Sequence, residues 1–185
     1  IPPFNILIFM NQNLKIAMHS LFIALGIVLG FALAHVPNVE LVTATVFISG
    51  YLLGWKSGLI IGLLTESIYS TLSPYGMASL PLFAGQVIAM SITGLCGGWA
   101  AKHIPIKGWF STLKTGSLGL ILSFQFALIT TSGYVLFAGI SKPMILTSII
   151  TGLGFYITHF ISNFLIFSLL VPGLILTLQK SIKAQ

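Results

Sequence analysis

Aspartate and arginine are absent from this 185-residue sequence, and glutamate occurs only twice, as Glu40 and Glu66. The eight basic residues are all lysines, so charged residues make up 5% of the chain, against roughly 25% in an ordinary soluble domain. Without arginine and aspartate, the chain has no arginine clamp and no Asp-based metal–phosphate chemistry. Hydrophobic residues make up 56% of the chain. Too little charge remains to cover a water-facing surface, which excludes a soluble globular domain.

Residues and motifs that carry enzyme chemistry are scarce as well. The single cysteine, Cys96, excludes a disulfide framework and a cysteine-rich metal cluster. The glycine-rich stretch 94–98 contains no phosphate loop, and the chain has no Gly-x-Ser-x-Gly nucleophile turn. We therefore expect no enzymatic activity, no cofactor, no bound metal and no ATP hydrolysis by this chain. Any active transport then needs a partner or an ion gradient.

Long uncharged runs dominate the sequence. Four of them, 16–39, 67–101, 115–141 and 143–179, each exceed the roughly 20 residues that cross a bilayer. Divided at the charged and the proline- or glycine-rich breaks, they predict an all-α integral membrane protein. We expect a single domain, residues 1–185, that forms a bundle of six transmembrane helices. The predicted helices span about 16–34, 41–54, 57–71, 82–101, 115–138 and 144–171.

The second and third predicted helices are short. A helix of about 15 residues covers about 22 Å of a hydrocarbon core that is roughly 30 Å thick. These two helices are therefore either extended by neighbouring residues or shielded by protein. Trp55 and Lys56 indicate an interfacial turn between them. A merged helix would place Lys56 at membrane depth, so the sequence favours six helices over five.

The lysines are distributed unevenly between the two sides that six helices define. Because cytoplasmic segments carry the excess of basic residues, both termini are predicted to be cytoplasmic, in a multi-pass protein of the cell membrane. The lysines stand singly at the ends of apolar runs, so the formal charge of +6 indicates topology in the lipid bilayer and no nucleic-acid partner. One side holds Lys15, Lys56, Lys102, Lys107, Lys114, Lys180 and Lys183, and the other holds only Lys142.

Three predicted loops, 35–40, 73–81 and 139–143, face the outside, where a ligand first meets the protein. Ionisable groups within membrane-spanning helices cost free energy and generally face a cavity or a partner. Glu66 is such a group. Tyr69 and Ser70 share its helix face, and Gln86 lies about one turn below the outer end of helix 4. We predict an outward-open pocket, with a structural hydrogen-bonding role as the alternative for Glu66. The candidate substrate-binding residues are His35, Asn38, Glu40, Glu66, Tyr69, Tyr75 and Gln86.

Two further features concern helix packing. His159 and Asn163 share a face in the inner half of helix 6, which favours hydrogen bonds between helices. Small residues recur every four positions on helix 1, so that one face allows another helix to approach closely. This face either packs within the bundle or binds a partner subunit; the residues concerned are Gly26, Gly30 and Ala34. A metal site built from His35, Glu40 and Glu66 has no close ligand spacing to support it.

Two local stretches and the overall pattern suggest a family. Pro-Asn-Val-Glu-Leu-Val-Thr at 37–43 leads into helix 2, and Gly-Tyr-Leu-Leu-Gly-Trp-Lys-Ser-Gly at 50–58 leads into a glycine-rich helix 3. With six short helices in 185 residues, the chain resembles the substrate-binding S components of energy-coupling factor (ECF) vitamin transporters. The first stretch is similar to cobalamin-type members.

The resemblance implies a protein that binds a vitamin or related micronutrient from outside, with a cobalamin-like compound as one candidate. It also implies partners, a transmembrane coupling subunit and two ATPase subunits, and transport by toppling of the whole chain in the membrane. Family members present small residues of helix 1 to the coupling subunit, a role that Gly26, Gly30 and Ala34 would take here. Two alternatives stay open: a structural or assembly subunit of another membrane complex, and a small ion-coupled carrier or channel in which Glu66 is the ion site.

Overall fold

The structure is a computed structural model that describes residues 11–106, 108, 110–138 and 142–183. The described residues are helical throughout apart from short connections, and they contain no β-strand, which confirms the predicted all-helical fold. The helices are α1 Gln12–Ala32, α2 Val42–Leu53, α3 Trp55–Thr71, α4 Leu80–His103, α5 Phe110–Ala138, α6 Lys142–Leu169 and α7 Val171–Lys183.

The helix ends differ from the predicted ones by a few residues. α1 begins earlier than predicted because the Asn11 side chain accepts a hydrogen bond from the Leu14 amide at 2.9 Å and caps the first turn. The segment 102–114, between the fourth and fifth predicted helices, is partly helical, since α4 continues to His103 and α5 begins at Phe110. The polar start at 1–10 and most of the predicted loop 139–143 lie outside the described residues.

The segment after the sixth predicted helix, which carries Lys180 and Lys183, is helical. Leu170 alone separates α6 from α7, and helical hydrogen bonds continue on both sides of it, from the Leu170 amide to Ile166 and from the Leu174 amide to Leu170. Pro172 has no amide hydrogen, so it interrupts the helix by one bond yet is tolerated in a first turn. The segment that contains Pro172 is therefore a helix, α7, although the sixth predicted helix ended at 171.

Four helical stretches are long and apolar enough to cross a membrane: Gln12–Ala32, Leu80–His103, Phe110–Val135 and Gly152–Ser181. At most a third of the apolar window in each is buried within the chain, so large apolar side chains point outward. A soluble protein rarely exposes so much contiguous apolar surface, whereas lipid accepts it. Length, composition and exposure together fit a membrane-embedded protein.

α2 is short because protein surrounds it. All twelve of its residues are buried, and it contacts α1, α3, α4, α6 and α7. α2 is only about 18 Å long, but its backbone does not face lipid because the neighbouring helices surround it. Gly54, with φ of +87°, is the whole turn to α3, a conformation that glycine adopts without strain. Trp55, predicted to lie in the turn, is already the first residue of α3.

The glycine-rich stretch of α4 is a packing surface. An added Cβ atom at Gly94 would collide with the backbone of Gly58 in α3, and one at Gly97 would collide with the backbone of Phe47 in α2. Gly98 meets Trp55 in the same way. Small residues of this kind let helices approach closely in membranes. α2, α3 and α4 consequently form a tight central unit.

The two ends of the bundle differ. At one end, the Tyr51 hydroxyl of α2 donates to the Ile104 carbonyl after α4, at 3.3 Å, and Gly116 of α5 packs on Ser168 of α6. The starts of α1, α3 and α5 and the ends of α2, α4 and α6 thus meet here; we call it the lysine end, since it carries the described Lys15, Lys56, Lys102 and Lys114. The opposite end, with the connections 33–41 and 72–79, is called the loop end.

Candidate functional site

A cavity of about 270 Å³ lies at the loop end. The 33–41 connection and five helices, α2 to α6, contribute to its wall together with the last turns of α1. Toward the lysine end it is closed by the buried side chains of Val42, Val46 and Met90, which pack with Phe126. The cavity is lined by Gly30, Leu33, Ala34, Val36, Pro37, Asn38, Val39, Glu40, Val42, Thr43, Glu66, Tyr69, Tyr75, Gln86, Met90, Phe126, Phe155 and His159.

Six of the seven residues that the sequence proposes for substrate binding line this cavity: Asn38, Glu40, Glu66, Tyr69, Tyr75 and Gln86. His35 does not line the cavity. Its side chain is exposed in the 33–41 connection that follows α1. The six come from two connections, 33–41 and 72–79, and from two helices, α3 and α4. Their role in binding a substrate stays a prediction, but their assembly around one space is an observed geometry.

Glu66 forms a small polar cluster with two neighbours. Its side chain is 3% exposed, and its Oε1 accepts a hydrogen bond from Ser70 Oγ at 2.8 Å. Ser70 Oγ also lies 3.0 Å from Gln86 Oε1 in α4. A hydroxyl has one hydrogen to donate, so Ser70 satisfies only one of these two acceptors at a time. The cluster therefore has more acceptor capacity than it has donors.

Glu40 has a different environment, at the start of α2. Its Oε2 accepts from the Thr43 amide at 2.8 Å, and its Oε1 accepts from Thr43 Oγ1 at 2.5 Å. Asn163 Nδ2 of α6 donates to the same Oε1 at 3.2 Å. A carboxyl group at a helix N-terminus satisfies free amides and interacts favourably with the helix dipole. Glu40 thus stabilises the start of α2 and ties it to α6.

The 33–41 connection reaches deeper than a surface loop. Ser162 Oγ of α6 donates to the Asn38 carbonyl oxygen at 2.8 Å, and Asn38 has a φ of +59°, a region that Asn tolerates. The sequence places His159 and Asn163 away from the outer loops, but the structure brings both to the cavity region. The physical reason is the shortness of α2, whose first turn begins inside the bundle.

His159 and Asn163 are the polar residues that the sequence did not assign to the site. The His159 ring lies 5.8 Å from the Phe126 ring and lines the cavity. Asn163 is fully buried, and its Oδ1 has no hydrogen-bond partner among the described residues. Their shared helix face was visible in the sequence, as two polar residues four positions apart in an apolar helix. Nothing local indicated that Glu40 would lie beside them.

Aromatic side chains complete the wall. Tyr69 packs on Phe31 with ring centroids 5.2 Å apart, and Phe126 and Phe155 line the cavity from α5 and α6. The Tyr75 hydroxyl donates to the Ala34 carbonyl at 2.6 Å, which links the 72–79 connection to the end of α1. Phe126 and Phe155 belong to long apolar helices, where no sequence signal separates cavity-facing from lipid-facing residues.

The small-residue face of α1 packs inside the chain. Gly26 and Gly30 are buried; a Cβ atom at Gly26 would meet Thr65 of α3 at 2.8 Å, and one at Gly30 would meet Tyr69 at 2.6 Å. Ala34 lines the cavity. The structure therefore corrects the predicted partner surface, because these residues face α2, α3 and the cavity. The alternative of packing within the bundle describes what is found.

The described part of the chain contains no preassembled metal site, because no three His, Cys, Asp or Glu side chains are grouped there to hold an ion. Of the residues considered from the sequence, His35 lies outside the cavity that Glu40 and Glu66 line.

Glu40 can be tested as a structural residue. We expect Glu40→Ala to lower the free energy of unfolding by about 2 kcal/mol, since the change removes a helix cap and the carboxylate acceptor of the buried Asn163 amide. Thermal unfolding in detergent measures the effect. Asn11→Ala is the matched control, because it removes an exposed cap with one hydrogen bond. An equal effect of both substitutions would contradict a stabilising hydrogen bond between Glu40 and Asn163 of α6.

Models of known protein families give no match to this chain, and neither the curated proteins nor the solved structures contain a match to it.

Proposed function

We propose that this chain is the substrate-binding subunit of an ATP-driven importer of the energy-coupling factor type, which captures a small vitamin or related micronutrient from outside the cell. The observation that carries the proposal is the cavity at the loop end, where polar side chains from distant segments surround about 270 Å³. Ligand pockets characteristically combine an apolar lining with a few convergent polar groups. The sequence resemblance to S components points to the same role.

The closed floor of the cavity supports binding over conduction. Val42, Val46 and Met90 are at most 3% exposed and lie directly beneath it. Phe47 and Phe167, both fully buried with ring centroids 5.2 Å apart, fill the bundle nearer the lysine end. A ligand bound at the loop end has no open path through this packed core. Its release on the other side requires movement of the whole chain, which agrees with a toppling mechanism.

The energy for such movement comes from partners in this proposal. The chain has no phosphate loop, so a transmembrane coupling subunit with two ATPase subunits would supply the driving force. The ligand is released if it binds the outward state more tightly than the inward state. A ligand with equal affinity for both states does not shift the equilibrium between them. The chain itself binds and delivers its ligand without transforming it.

The orientation follows from the lysines. The lysine end faces the cytoplasm under the positive-inside rule, which places both termini inside and the cavity outside, in the cell membrane. Six crossings result if α2 and α3, joined at Gly54, each count as one crossing beside the four long apolar stretches. The shortness of α2 is compatible with this count because protein covers it on all sides.

The size of the cavity bears on the ligand. Pockets for drug-sized ligands have volumes of about 300–1,000 Å³, and this one has about 270 Å³. Cobalamin, with its corrin macrocycle and nucleotide loop, far exceeds such a space. We therefore propose a smaller micronutrient than the cobalamin-type resemblance suggests.

Mass spectrometry of the small molecules that co-purify with the detergent-solubilised chain tests the proposal. We expect one stoichiometric compound, whose binding by the emptied protein is then measured by calorimetric titration at nanomolar to micromolar affinity. An empty protein that co-purifies with unrelated membrane subunits would support a structural or assembly role. Binding of a monovalent ion alone, with transport of that ion in vesicles, would support a carrier with Glu66 as its ion site.

A further inference from the structure

The charge of the cavity lining is one-sided. Glu40 and Glu66 supply two carboxyl groups, and no lysine is among the lining residues that the structure describes. The chain has no arginine at all. The described lysines of α1, α3, α4 and α5 lie at the opposite end of the bundle, and among the described lining residues His159 is the one basic side chain.

The two carboxyl groups are not equivalent. Glu40 accepts three hydrogen bonds, and the amide groups at the start of α2 offset its charge. Glu66 accepts one, from Ser70; its Oε2 has no donor within the part of the chain that the structure describes. A carboxylate has about four acceptor positions. Glu66 is thus the carboxyl group with capacity left for a donor that enters the cavity.

The surroundings of Glu66 favour an organic partner over a bare ion. Tyr69, Phe126 and Phe155 present aromatic side chains to the cavity, and Met90 presents its thioether. Aromatic faces attract organic cations, and apolar walls favour the carbon part of a ligand. An inorganic cation would need several oxygen ligands at close range, whereas the oxygens of Glu40 are already occupied by Thr43 and Asn163.

We propose that the cavity binds a small organic cation, an ammonium or protonated nitrogen heterocycle that donates an N–H group to Glu66 while its ring or chain packs on the aromatic lining. The proposal rests on the proposed function and adds the chemical class of the ligand. A ligand whose only charge is a carboxylate or phosphate is disfavoured, because it would face Glu66 with no lysine or arginine among the lining residues that are described.

A matched set of three probes tests the charge preference. The probes 3-(aminomethyl)pyridine, 3-pyridinemethanol and nicotinate share one ring and differ in charge, which is positive, zero and negative at neutral pH. The probes are titrated against the full chain in detergent. We expect the amine to bind at least about tenfold more tightly than the alcohol, because hydrogen bonds to charged groups are strong enough for this difference. Nicotinate should bind more weakly than both.

Two substitutions assign the preference to its residue. We expect Glu66→Gln to reduce the ratio of amine to alcohol affinity to about one, because the amide keeps the shape and loses the charge. Glu40→Gln should keep most of the ratio. The ranking of the three probes is measured on the unaltered chain, so it tests the charge preference even if neither variant folds.

The outcomes separate this inference from the proposed function. Tightest binding of the alcohol or of nicotinate would overturn the cation inference and leave a substrate-binding role in place. Loss of the preference in Glu40→Gln instead of Glu66→Gln would overturn the assignment to Glu66. Failure of all three probes to bind would overturn the cation inference, whereas the co-purifying compound, identified and titrated separately, decides the proposed function.

Discussion

Replacing Gly94 with alanine is expected to destabilise the protein by about 3 kcal/mol or more and to remove most of the folded chain from the membrane. The added Cβ atom would collide with the carbonyl group of Gly58 and lie 2.9 Å from its Cα atom. Backbone atoms cannot turn aside as a side chain can, so α3 and α4 must separate. Overpacking of a tight core costs about 1–3 kcal/mol, and a backbone collision belongs at or above the upper limit.

Gly154→Ala is the control for the Gly94 substitution. Gly154 is also helical, in α6, but an added Cβ atom there meets no atom within 4 Å. Alanine is favoured over glycine in a helix by about 1 kcal/mol, so this variant should be as stable as the original chain or more so. Monodisperse yield and thermal unfolding in detergent compare the two. Equal stability of both variants would show that α3 and α4 are not in backbone contact.

Replacing Gly30 with alanine should weaken ligand binding by about tenfold or more while the protein still folds. The new Cβ atom would meet the Tyr69 ring at 2.6 Å and a Val42 methyl group at 2.8 Å. Both are side-chain atoms that can shift, and Tyr69 lines the cavity, so its ring must move relative to the ligand. The displaced ring changes a wall of the cavity, and a tenfold higher Kd corresponds to a loss of about 1.4 kcal/mol of binding free energy.

Gly26→Ala separates this effect from general loss of packing. Gly26 lies one turn earlier on the same face of α1, and its added Cβ atom would meet a Thr65 methyl group at 2.8 Å, away from the cavity lining. We expect similar thermal stability for both variants, and weaker binding of the co-purifying compound and of 3-(aminomethyl)pyridine in Gly30→Ala alone. Equal binding by both variants would place the ligand elsewhere.

The tight central unit and the cavity have complementary roles. Gly94, Gly97 and Gly98 hold α2, α3 and α4 together at backbone distance, which leaves little freedom for a gate within the bundle. The cavity instead opens at the loop end, where the Tyr75 hydroxyl joins the 72–79 connection to α1 at Ala34. This division favours delivery of a ligand by motion of the whole chain.

Local patterns were sufficient for the helices and for part of the site. The apolar runs predicted helices in the right order, and the spacing of Glu66 and Ser70 predicted the face on which the structure joins them by a hydrogen bond. The sixth predicted helix ended at 171, just before Pro172, but the effect of a proline depends on its position within a helix. In a first turn its missing amide hydrogen removes little, and α7 forms.

What the sequence by itself determined is the all-helical fold, the apolar character of its long helices and the polar residues that share one helix face. These depend on composition and on helical periodicity, which are local properties of the chain. The tertiary structure alone decided that Glu40 meets Asn163, 123 residues further along, that Gly26 and Gly30 face inward, and that His35 lies outside the cavity. The reason is physical: such pairings depend on how the short α2 is placed among α1, α3, α4 and α6, and close packing between helices selects that placement.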